Sequence, residues 1–97
     1  MDLSQCYYLG YISRVIGSKG RCEIKLDVDH PSDYKKLESV LILMNSNDLT
    51  PVPFFIQQVV GFQGNQMKVD LAENQVIPDV AILKGKQVYL PLSSLKP

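Results

Sequence analysis

The sequence predicts an all-β domain closed as a small antiparallel barrel. Three observations carry that prediction. Short runs of β-branched and aromatic residues alternate with polar ones at a period of two. Compact turns, Gly17-Ser18-Lys19-Gly20 and Gly64-Asn65, separate such runs. No segment is long enough for the crossover helix that parallel strands require. About six strands with one or two helical turns close best as a barrel, which leaves no open edge.

The first hairpin runs from Leu9 to Leu26. Its second arm is regular: Cys22, Ile24, Leu26 and Val28 alternate with Arg21, Glu23, Lys25 and Asp27, which puts the apolar set on a core face. The turn admits two registers. A two-residue Ser18-Lys19 loop sets Arg14 against Glu23 and Tyr11 against Leu26, with Leu9, Tyr11, Ser13 and Val15 facing the core. A type I turn with Gly20 as a bulge suits the turn chemistry better but sets Arg14 opposite Ile24. The charge pattern favours the first, with Arg14 in solvent beside Glu23.

Downstream, His30-Pro31 enforces an extended or turn conformation, and Ser32 can cap a helical turn over Tyr34 and Leu37. Val40–Met44 reads as a buried strand closed by Asn45-Ser46-Asn47-Asp48. Pro51 and Pro53 open the next strand, which suits an edge or a strand start. Along it Phe54, Ile56, Val60 and Phe62 share the core face with Gln58, and the Gly64-Asn65 turn pairs Phe62 with Met67 and Val60 with Val69. Phe55 and Val59 then fall on the opposite face as a candidate exposed apolar spot for a protein or interdomain contact. From Asn74 to Lys86 the alternation breaks; Asp79 can cap a turn of helix that Gly85 stops. Gln87–Pro91 is the last strand, and Leu92–Pro97 reads as the start of a linker.

Ten basic residues balance ten acidic ones, so any nucleic-acid contact must come from a local patch. The best candidate is the first hairpin tip, with Arg14, Lys19, Arg21 and Lys25. The N-terminus has neither the basic start nor the apolar core of a signal peptide, so a cytoplasmic protein with no membrane contact is the expectation. Cys6 and Cys22 lie far apart along the hairpin and read as reduced thiols. Catalytic chemistry finds no support: His30 is the single histidine, without a nucleophile elbow, and Asp27, Asp29 and His30 lack the spacing of a calcium or zinc site. No metal or cofactor is expected. Gly17-Ser18-Lys19-Gly20 lacks the lysine-serine ending of a phosphate loop and reads as a turn.

The order of motifs resembles the N-terminal domain of the RimM ribosome maturation factors. Gly10-Tyr11-Ile12, then Gly17-Ser18-Lys19-Gly20, then Cys22-Glu23-Ile24-Lys25 match its first signature. Asp79, Ala81, Leu83, Lys84-Gly85 and Val88-Tyr89-Leu90-Pro91 match its second. Leu90-Pro91-Leu92-Ser93-Ser94-Leu95 looks like the family's lead-in to a second domain. Ile16 and Arg21 depart from it, standing where the family often has a histidine and an acidic residue. The resemblance implies a six-stranded antiparallel Greek-key barrel over residues 1–91, followed at 92–97 by the start of a linker. It also implies a role in assembling the head of the small ribosomal subunit and processing its RNA. The family's PRC-type second barrel, linked to a protein of the subunit head, is not among these residues. No catalytic residue carries over. Two other readings stay open: a flavin-binding or reductase-type barrel, which absorbance of a bound flavin would reveal, and a general single-strand RNA binder, which needs aromatics on one sheet face. Most aromatics here are expected in the core or at the chain start.

Overall fold

The computed structural model describes residues 2–17, 19–72 and 79–94. Six strands form: β1 Cys6–Ile16, β2 Arg21–Leu26, β3 Ser39–Leu43, β4 Val52–Gln63, β5 Gln66–Leu71 and β6 Gln87–Pro91. Single 3-10 turns lie at Leu3–Gln5, Pro31–Tyr34, Val80–Leu83 and Leu92–Ser94. Every strand pair is antiparallel, and the order β1-β2-β5-β4-β3-β6 closes on itself. The predicted six-stranded Greek-key barrel is what the chain forms. Among the described residues, no helix is long and apolar enough to cross a membrane.

The interior is apolar throughout. Leu9, Ile12, Ile24, Ile42, Met67, Val69 and Val88 are fully buried, with Phe54 the largest side chain among them, and Leu83 closes in from its 3-10 turn. Removing each such side chain from water contributes roughly 1.5–3 kcal/mol, offset by chain entropy.

The first hairpin takes the favoured register near the turn and, beyond a bulge, a third register that neither turn reading offers. Near the turn, Arg14 pairs with Glu23 and Val15 with Cys22, as the charge pattern favoured; beyond a bulge at Ser13, Ile12 pairs with Ile24 and Tyr11 with Lys25. The bulge adds one residue to β1 and inverts the phase of Gly10–Ile12, until a second irregularity between Tyr8 and Gly10 restores it and leaves Leu9 buried as expected. Ile12 therefore occupies the core in place of Tyr11, which is exposed. Ser13 uses its hydroxyl on Gln66 Oε1 at 2.9 Å. Gly10 permits the crossing, because a side chain there would meet the Lys25 carbonyl oxygen at 2.0 Å.

The second long strand repeats the device. Phe62 pairs with Met67 as expected, but bulges between Ile56 and Gln58 and between Val59 and Gly61 re-phase β4. Val59, not Val60, pairs with Val69 and packs against the core. Val60 and Phe62, expected inside, are exposed. The prolines also find a physical reason. The Ile56 N–H donates to Glu38 O at 2.8 Å, so odd-numbered N–H groups of this arm point away from β3. Pro53 pairs with Leu41 of β3, while the ladder to β5 begins only at Ile56. Its missing donor takes nothing from that pairing.

Ser32 is not a cap. The Pro31–Tyr34 turn starts at His30, whose side chain makes no capping bond, because Pro31 already supplies a fixed φ at the first position. Tyr34 and Leu37 do pack against the core. The Asp79 cap forms as expected, accepting from the Ala81 N–H at 3.0 Å. Gly85, at φ 85°, ends that turn and donates to Ile12 O at 2.7 Å. The irregular stretch before Asp79 lies, for residues 73–78, outside the described residues.

Candidate functional site

Alternation puts each strand's charged residues on the outside of the barrel, and the cross-strand register arranges them in rows. One row runs Tyr11–Lys25–Gln66, the next Arg14–Glu23–Lys68–Gly61, and a third Ile16–Arg21–Asp70–Gln58. On these outward positions Arg14, Arg21, Lys25 and Lys68 face two carboxylates, Glu23 and Asp70. Lys19 is exposed in the adjoining turn. An electroneutral chain thus carries a locally positive face.

Two of the four expected basic residues are already partnered. Arg14 Nη2 is ion-paired with Glu23 Oε1. Arg21 grips Asp70 with both ends of its guanidinium, Nε to Oδ1 at 2.7 Å and Nη2 to Oδ2 at 3.0 Å. Gln58 Nε2 adds a third bond to Asp70 Oδ2 at 2.7 Å. These donors, Arg21 first, hold the Asp70 carboxyl down to about 2. Arg14 stays 63% exposed, and exposed pairs of this kind rearrange cheaply. Lys25 and Lys19 are exposed. Sequence reasoning missed Lys68, Asp70 and Gln58, which reach this face only through the long-range β2–β5 and β4–β5 ladders.

The opposite wall of the barrel differs in kind. Tyr8 pairs with Tyr89, Tyr89 with Leu41 and Leu41 with Pro53, a row across β1, β6, β3 and β4. Tyr8 and Tyr89 meet edge to face, with ring centroids 5.7 Å apart. Phe55, next along the outside of β4, is 69% exposed. It stands beside this apolar row, opposite Ser39, and does not share a spot with Val59, which packs against the core. Half of the eight aromatics are exposed, Tyr8 at the chain start and Tyr11, Phe55 and Phe62 along the strands.

Among the described residues no three His, Cys, Asp or Glu side chains gather to hold a metal. Cys22 is buried, which pushes its thiol up to about 12 and keeps it protonated. Cys6, at the start of β1, is half-buried and also free.

Comparison with known proteins agrees with this architecture. The family model for the RimM N-terminal domain matches residues 7–95. The chain is 37% identical over 95 residues to the ribosome maturation factor RimM of Christiangramia forsetii, covering 98% of this chain and 53% of that protein. It is 35% identical to the protein of the same name from Flavobacterium johnsoniae, with the same coverage. It spans about half the length of the curated relatives it matches. Among solved structures, a Pseudomonas aeruginosa RimM described as a 16S ribosomal RNA processing protein superposes with a TM-score of 0.68 at 14% identity. That match covers 93% of this chain and 52% of the other, and it speaks for the fold. The chain belongs to the RimM family and carries its N-terminal barrel domain.

Proposed function

We propose that this barrel is a contact module of a ribosome maturation factor, acting in assembly of the small ribosomal subunit and processing of its RNA. The observation that carries the reading is the positive face on a chain with no net charge. A few exposed cations suit modest, salt-sensitive binding to phosphates, as a factor that must leave a finished particle requires. Family membership and the relatives' names support the assignment to ribosome maturation. Arg14, Lys19, Arg21 and Lys25, with Lys68, are the residues assigned to RNA. The apolar row with Phe55 suits a protein: Tyr, Leu, Pro and Phe side chains without a charge among them make the core of an interface. A protein of the subunit head, and a PRC-type second half of a longer chain, are the partners assigned to it. The linker reading of residues 92–97 and a cytoplasmic setting belong to the same proposal.

The test is cosedimentation of the chain with immature and mature small subunits across a salt series. The expected result is preferential binding to the immature particle. If four phosphates are neutralised, log affinity falls against log salt with a slope of roughly −3. Lys25→Ala should reduce that slope by roughly one. Binding to neither particle would overturn the reading, and a flavin absorbance in the purified chain would replace it.

A further inference from the structure

The row Arg14–Glu23–Lys68 ends at Gly61, where a side chain is missing. A Cβ built there meets nothing within 4 Å. The result is a notch of about 170 Å³ lined by Val60, Phe62, Gln63, Gln66, Glu23 and Lys68 around Gly61. Val60 and Phe62 are 44% and 37% exposed and stand outside the core cluster, apolar walls in an otherwise polar face.

We propose that this notch seats one unstacked nucleobase of single-stranded RNA. The inference rests on the reading of this face as an RNA contact and names what that contact recognises. A flipped-out base needs an aromatic or apolar wall and hydrogen-bonding groups for its edge. Phe62 and Val60 supply the wall. Gln66 supplies a donor, since its Oε1 is occupied by Ser13 Oγ at 2.9 Å and its amide NH2 makes no hydrogen bond among the described residues. The Gln63 side chain adds a donor and an acceptor on the rim. The bulge between Val59 and Gly61 sets one residue of backbone aside from the ladder beside them. Lys68 on the rim and Arg14 along the row stand where the flanking phosphates would run. A peptide side chain would find the same apolar wall, but the cations favour a polyanion, and the uncharged face lies on the other side of the barrel.

Gly61→Val tests the seat with little risk to the fold. The position is in a strand, its φ is not in the left-handed region, and the new side chain enters open space. Short oligouridine and oligoadenosine are titrated into the chain by fluorescence anisotropy and backbone-amide NMR, with an abasic oligomer of the same length as control. Expected are amide shifts at Gly61 and Phe62 and in the Gln66 side chain. Phe62→Ala should weaken binding roughly 5- to 150-fold and Phe62→Trp should restore it. Gly61→Val should weaken binding of the base-bearing oligomers without changing the abasic one. Wild-type affinity in Gly61→Val, or equal affinity for the abasic oligomer, would overturn the seat while leaving a phosphate contact intact. Binding by none of the oligomers would overturn it too, and cosedimentation then decides separately whether the broader role survives.

Discussion

Gly10→Ala should cripple the barrel, and the reason can be worked out atom by atom. Gly10 is buried in β1, opposite Leu26 of β2 and Val88 of β6. A methyl group there would lie 2.0 Å from the Lys25 carbonyl oxygen and 3.1 Å from the Leu26 Cα. Real Cβ contacts do not fall below 3.0 Å, so β2 must retreat by at least the difference between 2.0 and 3.0 Å. What it meets is backbone, which no rotamer change can move. The retreat strains the bond from the Asp27 N–H to Leu9 O, now 2.8 Å, and loosens the packing of Leu9 and Leu26. Overpacking costs typically 1–3 kcal/mol, and an unyielding neighbour puts this case near ~3 kcal/mol. A domain of this size has only ~5–15 kcal/mol in total. The melting temperature should fall by roughly 12–24 °C. Gly61→Ala is the control: a glycine in a strand whose added methyl meets nothing within 4 Å. It should be neutral or stabilising by up to ~1 kcal/mol, as lost chain entropy is smaller. Thermal and urea unfolding of both variants give the answer. A Gly10→Ala protein within about 1 kcal/mol of the parent would refute the close crossing of β1 over β2.

Other expectations follow from burial and charge. Phe54→Ala removes the largest fully buried side chain and should cost ~3–5 kcal/mol by urea denaturation. Phe55→Ala, at a side chain 69% exposed, should stay within ~0.5 kcal/mol, whereas Val59→Ala should cost more because Val59 packs on the core. Asp70 has its folded pKa depressed to about 2 by Arg21 and Gln58. Its contribution is therefore present above the unfolded carboxylate range and is lost as pH falls from about 4 through about 2. Asp70→Asn should flatten that part of the acid limb in pH-dependent unfolding, an effect kept small by solvent around the Arg21 pair. In native protein, iodoacetamide should modify half-buried Cys6 and spare Cys22, whose buried thiol is pushed up to about 12. Equal labelling, read by peptide mapping, would contradict the burial of Cys22.

The regular parts of the fold were legible. β2 alternates without a fault, β6 has the expected bounds, and the Asp79 cap and Gly85 stop stand where their side-chain chemistry puts them. The two long strands were not, because each was read as one unbroken period of two. The bulges at Ser13 and Val60 shift that period, sending Tyr11 and Val60 outward and Ile12 and Val59 inward, while Phe62 keeps its expected pairing with Met67 and is exposed all the same. A signal was present: Gly10 and Gly61 are glycines inside strands, the mark of a bulge or a close backbone approach. The candidate face was half legible. Arg14, Lys19, Arg21 and Lys25 lie on one local hairpin, so the sequence groups them. Lys68, Asp70 and the Tyr8–Tyr89 contact depend on pairings across 45 residues and more, which no local pattern encodes.

Seen as heredity, a bulge is a codon that the fold has absorbed. An in-frame loss of the Ser13 codon would bring Arg14–Glu23 and Ile12–Ile24 together as consecutive pairs, straightening β1 while Ile12 stays in the barrel and Tyr11 outside it. A codon lost from the exposed Asn45–Asn47 loop re-phases nothing either. One lost from β2, which has no bulge, would turn half of that strand's side chains over. Length variation among homologous barrels should therefore collect in the loops and at the bulges, while regular strands such as β2 keep their residue count even as their side chains drift.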